Sequence, residues 1–201
     1  MQTFCVSVLT LLLSSLYANP VKAPQNWIEY AQESSTGEFL KNLSFQTRPA
    51  RIEDLDVLYE LVCDLAAFEG KDLDTLPVTK ANLEKYGFGK NPYFYVELAQ
   101  NQNGTVGYAL YSYVYSGHQG TPFLYIDDLY VKPSERGHGI GSALLKQLAC
   151  YAKEIGCCRM EWHVFDWNKQ AISFYESLCG NLREDLLLIR MEKEAYWKIA
   201  E

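Results

Sequence analysis

Three glycines at alternate positions, Gly137, Gly139 and Gly141, stand directly before an apolar-periodic run in YVKPSERGHGIGSALLKQL, residues 130–148. Glycine in or beside a helix costs about 1 kcal/mol relative to alanine, so this spacing needs a task that the backbone itself performs. Binding an anion is such a task. Without Cβ atoms the loop can aim successive N–H groups at a phosphate, and the helix that follows adds the positive end of its dipole. A Walker loop is excluded because no lysine follows the glycines. The dinucleotide fingerprint is nearly met by Gly137-x-Gly139-x-x-Ser142, with Glu161 about twenty residues on. It requires the first strand of a parallel unit, however, and here three strands of antiparallel type and the intervening KPSER precede the glycines. Arg-x-x-Gly-x-Gly, from Arg136 through His138 and Ile140 to Gly141, between a strand and a helix, is the pattern left.

A second constellation is Asp127-Asp128 in the otherwise apolar FLYIDDLYV. Adjacent carboxylates there are unfavourable unless paired, hydrated or bound to something. Strand alternation sends them to opposite faces, which gives Asp128 a structural role and Asp127 a chemical one. The third is DWNKQAISFYESL, where Asn168 is a natural N-cap and Ala171, Phe174, Tyr175 and Leu178 share a helix face. Periodicity alone makes Tyr175 a core residue.

These groups need a scaffold to position them. Leu55, Leu58, Leu61, Val62 and Leu65 predict an amphipathic helix over 52–67, and a shorter helix follows over 79–86. YFYVELAQ, VGYALYSYVY and FLYIDDLYV, with turn signals between, predict three antiparallel strands. A helix over 140–155, with Leu144, Leu148, Ala152 and Ile155 on one face, leads to the strand RMEWHVF. A helix from Asn168 to Leu178 and a last strand LLLIRME complete the order β-α-α-β-β-β-α-β-α-β. That is an α/β (α+β) sheet of mixed direction. Residues 19–42 are polar and aperiodic and read as a linker; 43–201 form the folded domain.

The 201 residues, 48% hydrophobic and 21% charged, suffice for one domain with a sizeable core, and a net charge of −7 argues against a nucleic-acid partner and suits a cationic substrate. Cys5, Cys63, Cys150, Cys157, Cys158 and Cys179 sit mostly in apolar-periodic segments and read as buried thiols. With no Cys-x-x-Cys and with His118, His138 and His163 scattered, no metal is expected. No Gly-x-Ser-x-Gly elbow supports a serine hydrolase. Residues 1–18 resemble a secretory signal, though without a basic n-region, and Asn42 and Asn103 lie in glycosylation sequons. Free cysteines favour a reducing compartment, and the expected location is cytoplasmic, without stable membrane contact.

From FQTRPA onward, about 155 of the 201 residues resemble the spermidine/spermine N-acetyltransferase family of GNAT enzymes, closer to its thialysine-acetylating branch. TRPA, LAAFE, YGFGKNPYF, LYIDDLYV, RGHGIGS, DWN and FYESL carry the resemblance. It implies the GNAT acyltransferase fold, a mixed central sheet flanked by helices, and acetyl transfer from acetyl-CoA to a primary amine of a small cationic substrate in a ternary complex. It also implies a homodimer. Leu129, Tyr130 and Val131 are expected to pair with the pantetheine arm. Arg136, Gly137, His138, Gly139, Ile140, Gly141 and Ser142 are expected at the pyrophosphate, and Asn168, Lys169, Gln170 and Ala171 complete the cofactor site. Tyr175 falls at the catalytic tyrosine and Asp127 where a glutamate is usual. Phe68, Glu69, Glu161, Trp162 and His163 align with the amine-binding walls, and Glu184 is a further substrate candidate. The chain departs from the pattern at Phe68, in place of a tyrosine, and at Ser116, in place of an acid. Between Gly180 and Ile189 it is shorter, with Leu186 near the position of a tryptophan. A catalytically impaired module that binds CoA or a partner is the alternative that this shortening raises.

Overall fold

A computed structural model describes residues 44–200, so the signal-like segment 1–18 and the linker 19–42 lie outside the described residues. The described residues fall into two compact units, 44–162 and 163–200.

The first unit is built on a five-stranded sheet in the order β1-β2-β3-β4-β5. Strand β1 (Phe45–Pro49) leads into α1 (Leu55–Phe68), and α2 (Lys80–Leu83) runs on into a wide helical turn, Glu84–Phe88. Then follow β2 (Tyr95–Asn101), β3 (Gly104–Ser116) and β4 (Thr121–Val131), each antiparallel to its neighbour. Helix α3 (Ile140–Ile155) crosses over to β5 (Met160–Trp162), which pairs parallel to β4. The predicted strand over 159–165 is therefore shorter, and it stops opposite Ile126.

Two apolar layers sandwich the sheet. Leu58 and Leu61 of α1, fully buried, and Leu83 of α2 pack on Val96, Leu98, Tyr108, Leu110 and Tyr130. On the opposite face Leu144, Leu148 and Tyr151 of α3 cover the sheet, with Tyr151 stacked on Tyr111 at 6.0 Å. The start of α1 is fixed by Asp54, which accepts two hydrogen bonds of 2.7 Å from the Arg48 guanidinium and one of 2.8 Å from the Arg51 N–H. The Arg48 guanidinium holds the Asp54 carboxyl below its ordinary range. A bidentate, partly buried pair of this kind joins β1 to the helix more firmly than a surface ion pair does.

The second unit contains α4 (Lys169–Ser177) and α5 (Lys193–Ala200). The strand expected over 186–192 does not form: the segment has no regular secondary structure and no ladder, and α5 follows it. A strand needs a partner for its N–H and C=O groups. Among the described residues no strand pairs with this one, and Leu187 and Ile189 are 87% and 86% exposed. The cysteines also differ from expectation. All those described are free thiols, but Cys158 and Cys179 are exposed and the other three half-buried.

Candidate active site

The glycine loop is shaped as its composition demands. Gly137 and Gly139 have φ of +80° and +84°, where side chains are disfavoured, and a Cβ at either would meet no atom within 4 Å. The space in front of the loop is open. Gly139 caps the 16-residue α3 with no side-chain hydrogen bond, which leaves first-turn N–H groups for a ligand. Buried Ile140 anchors the helix start, with Gly141 and Ser142 in its first turn. Arg136 holds the loop: its Nε donates to the Val131 carbonyl at 2.9 Å, and its guanidinium lies 4.8 Å from the Phe68 ring and 5.8 Å from the Tyr130 ring. The His138 ring is exposed, 3.3 Å from the Glu135 carbonyl. These features fit a pyrophosphate bound through the backbone.

The acidic pair sits where β4 changes character. Leu110 pairs with Asp128 and Tyr111 with Ile126, so Asp127 is the extra residue of a bulge. Simple alternation of the two carboxylates therefore does not hold. Beyond the bulge, Asp128–Val131 keeps its ladder to β3, but its other edge has no strand partner among the described residues, since β5 stops at Trp162. An extended ligand can hydrogen-bond to such an edge as an added strand does.

Asp128 accepts a hydrogen bond from the Tyr108 hydroxyl at 2.9 Å. That pairing is the structural role expected of it. Burial, and next the charge of Asp127, push its carboxyl from 3.8 to about 6. Glu69 also acts on it, and Glu69 is itself paired with Lys71 at 2.6 Å. The first unit thus brings Glu69, Asp127 and Asp128 into one electrostatic cluster, with Phe68 beside the loop.

Glu161 lies opposite Tyr125 and Trp162 opposite Ile126. Glu161 is not a free acid: Arg159 Nε donates to it at 2.6 Å. The second unit carries His163, the Asn168–Ala171 turn, Tyr175 and Glu184. Asn168 caps α4, accepting from the Ala171 N–H at 3.2 Å. The Tyr175 hydroxyl is raised by burial, and its ring lies 5.4 Å from Phe174. Glu184 is exposed, within the Arg183–Asp185 ion pair of 2.7 Å.

From the sequence alone Asp128 has only a structural role, and Arg159 goes unnoticed. The Asp128 carboxyl is raised by burial and by the charges of Asp127 and Glu69, against the Tyr108 hydrogen bond, and Arg159 reaches this face only through the parallel register of β5. A lone arginine at a strand start gives no signal of that kind.

An open glycine loop at a helix N-terminus, beside an unpaired strand edge and a carboxylate cluster, fits an acyltransferase that draws on a CoA thioester. The chain belongs to the Acetyltransferase (GNAT) family, whose profile matches residues 56–180. It is 34% identical over 168 residues to the thialysine N-epsilon-acetyltransferase of Mus musculus, covering 78% of this chain and 98% of that one. The Sus scrofa protein of the same name is 36% identical over 65% of this chain and 81% of its own length. A spermidine/spermine N(1)-acetyltransferase-like protein 1 of Homo sapiens is 38% identical over 66% of this chain but only 20% of its own. An integron cassette protein from the V. cholerae mobile metagenome superposes with a TM-score of 0.65 at 24% identity, over 80% of this chain and 99% of that one, which shows the fold alone. Acetyl-CoA-dependent N-acetylation of an amine is the reaction class these findings establish.

Proposed function

We propose that the protein moves the acetyl group of acetyl-CoA to the side-chain amine of a small thialysine-like amino acid, or to a di- or polyamine, by direct attack within a ternary complex. The observation that carries this reading is the pair of left-handed glycines opening before the uncapped start of α3, next to the unpaired edge of β4. Backbone groups of Leu129–Val131 would hold the pantetheine arm, and 137–142 the pyrophosphate.

An alkylammonium has a pKa near 10, so it must lose a proton before it attacks. Asp127 and Glu69 attract the cation. Asp128, lifted to about 6, is ionised at neutral pH and is a stronger base than an ordinary carboxylate, which suits it to accept the proton directly or through water. A backbone N–H near Leu129 would hold the oxyanion. Tyr175, whose hydroxyl burial keeps protonated, would give its proton to the leaving thiolate. Its assignment rests on the family pattern. Proximity supplies much of the remaining acceleration.

We further place the protein in the cytoplasm as a homodimer. The free thiols support the first. The exposed apolar run Leu186–Ile189 supports the second. The impaired-module alternative rests on the same unpaired segment. Release of CoA with a panel of amines separates the readings: thialysine turned over with a higher kcat/KM than spermidine supports the proposal, and no release with any amine by a folded, acetyl-CoA-binding protein supports the alternative.

A further inference from the structure

The sheet face opposite α3 has a charge polarity that a polyamine site does not need. Tyr111 and Ile126, paired across β3 and β4, lie on the α3 side, so Phe123 and Tyr125 point the other way. Parallel pairing puts Glu161 beside Tyr125 on that same face, and Arg159 lies there too, its guanidinium 4.0 Å from the Phe123 ring centroid. At one end stand Asp127, Asp128 and Glu69. At the other stands Arg159, whose Nη1 donates to Ser116 Oγ at 3.2 Å and to Cys158 Sγ at 3.3 Å. Its Nη2 makes no hydrogen bond among the described residues, and its side chain is 38% exposed. A guanidinium stacked on a ring, its Nε held by Glu161 at 2.6 Å and its Nη1 by Ser116 and Cys158, is fixed in place with Nη2 left to donate to a carboxylate.

Phe123 and Asp127 are four positions apart on β4, about 13 Å at strand rise. In thialysine the side-chain nitrogen and the carboxylate carbon are separated by six bonds, about 8 Å when extended. A charge-assisted hydrogen bond of about 2.8 Å at each end brings the molecule to a comparable span. We propose that Arg159 receives the substrate's α-carboxylate, so that the face selects zwitterionic amino acids bearing a side-chain amine over amines cationic at both ends. The inference rests on the proposed amine acetylation and adds which end of the substrate is read, and by what. It also changes what Ser116 can do. An aspartate there would lie beside Arg159 and pair with it, so Ser116→Asp alone gains little spermidine use, and the gain appears only when Arg159 is also replaced.

The test compares thialysine with bis(2-aminoethyl) sulfide, the same molecule without its carboxylate, in the unmodified protein and in Arg159→Gln and Arg159→Lys. The unmodified protein should favour thialysine, and in Arg159→Gln the ratio of the two kcat/KM values should fall about tenfold or more, mainly through KM for thialysine. Arg159→Lys should recover part of the ratio. If both amines lose equally, Arg159 only braces β3 against β5 and the proposal is overturned. Calorimetric binding of the two amines in the presence of CoA gives the same comparison without turnover. Absence of acetyl transfer would thus overturn the proposed reaction while the carboxylate preference is still read.

Discussion

In segment 136–142 the groups offered to a ligand are main-chain N–H groups, freed by two left-handed glycines and an uncapped helix. Across β4 and β5 every group that can hold an amine or a carboxylate is a side chain, aimed by strand register and by one bulge. The two regions meet on one strand, yet they tolerate change differently. A backbone site is insensitive to neighbouring side chains but fails when a Cβ enters it. A side-chain site can be retuned by single substitutions that leave the fold alone.

Gly139→Val is the sharpest way to break that contrast. An added Cβ meets no protein atom within 4 Å, so the fold should survive with some backbone strain, while acetyl-CoA affinity should fall by roughly 10²-fold or more. Normal affinity by calorimetry in a folded variant would show that the loop does not hold the cofactor. Tyr175→Phe keeps the ring and removes the hydroxyl; turnover should drop roughly 10²-fold with little change in melting temperature. Lost stability with unchanged turnover would return Tyr175 to the core role that periodicity suggests.

Asp128→Asn probes the side-chain region. Protonation of Asp128 on going below about pH 6 should trace an acid limb in kcat/KM, and the variant should lose that limb together with roughly tenfold in rate. An unchanged pH profile would assign the proton to another group. The smallest effect on chemistry is expected from Glu97→Gln. Glu97 is buried on the α3 side and accepts from the Tyr151 hydroxyl at 3.0 Å, and burial pushes its carboxyl from 4.5 to about 8. Between those values the unfolded chain has released the proton and the folded chain has not, so stability falls as pH rises through that window. The variant, free of this slope, should gain melting temperature on the unmodified protein steadily from about pH 5 to pH 8, with activity retained. A constant gap would mean that Glu97 is ionised inside the fold.

The loop was legible because glycine spacing reports backbone conformation directly, and α1 and α3 were legible because their leucines recur at helical period. The acidic pair was only half legible. FLYIDDLYV announces two carboxylates, but the bulge that unpairs Asp127 depends on which β3 residues lie opposite, information held at Leu110 and Tyr111. Arg159 was invisible for the same reason, since its neighbours Phe123 and Ser116 come from two other strands. The strand expected over 186–192 shows the reverse error: Leu186–Ile189 has the composition of a buried strand, but composition cannot supply a partner edge.

The most direct test of the whole account is amine-dependent release of CoA. With acetyl-CoA and thialysine, the unmodified protein should release CoA at a rate that saturates in both substrates and yields a mono-acetylated amine by mass spectrometry, while Gly139→Val stays silent. A folded, acetyl-CoA-binding protein that releases no CoA above background with thialysine or any other primary amine would contradict it.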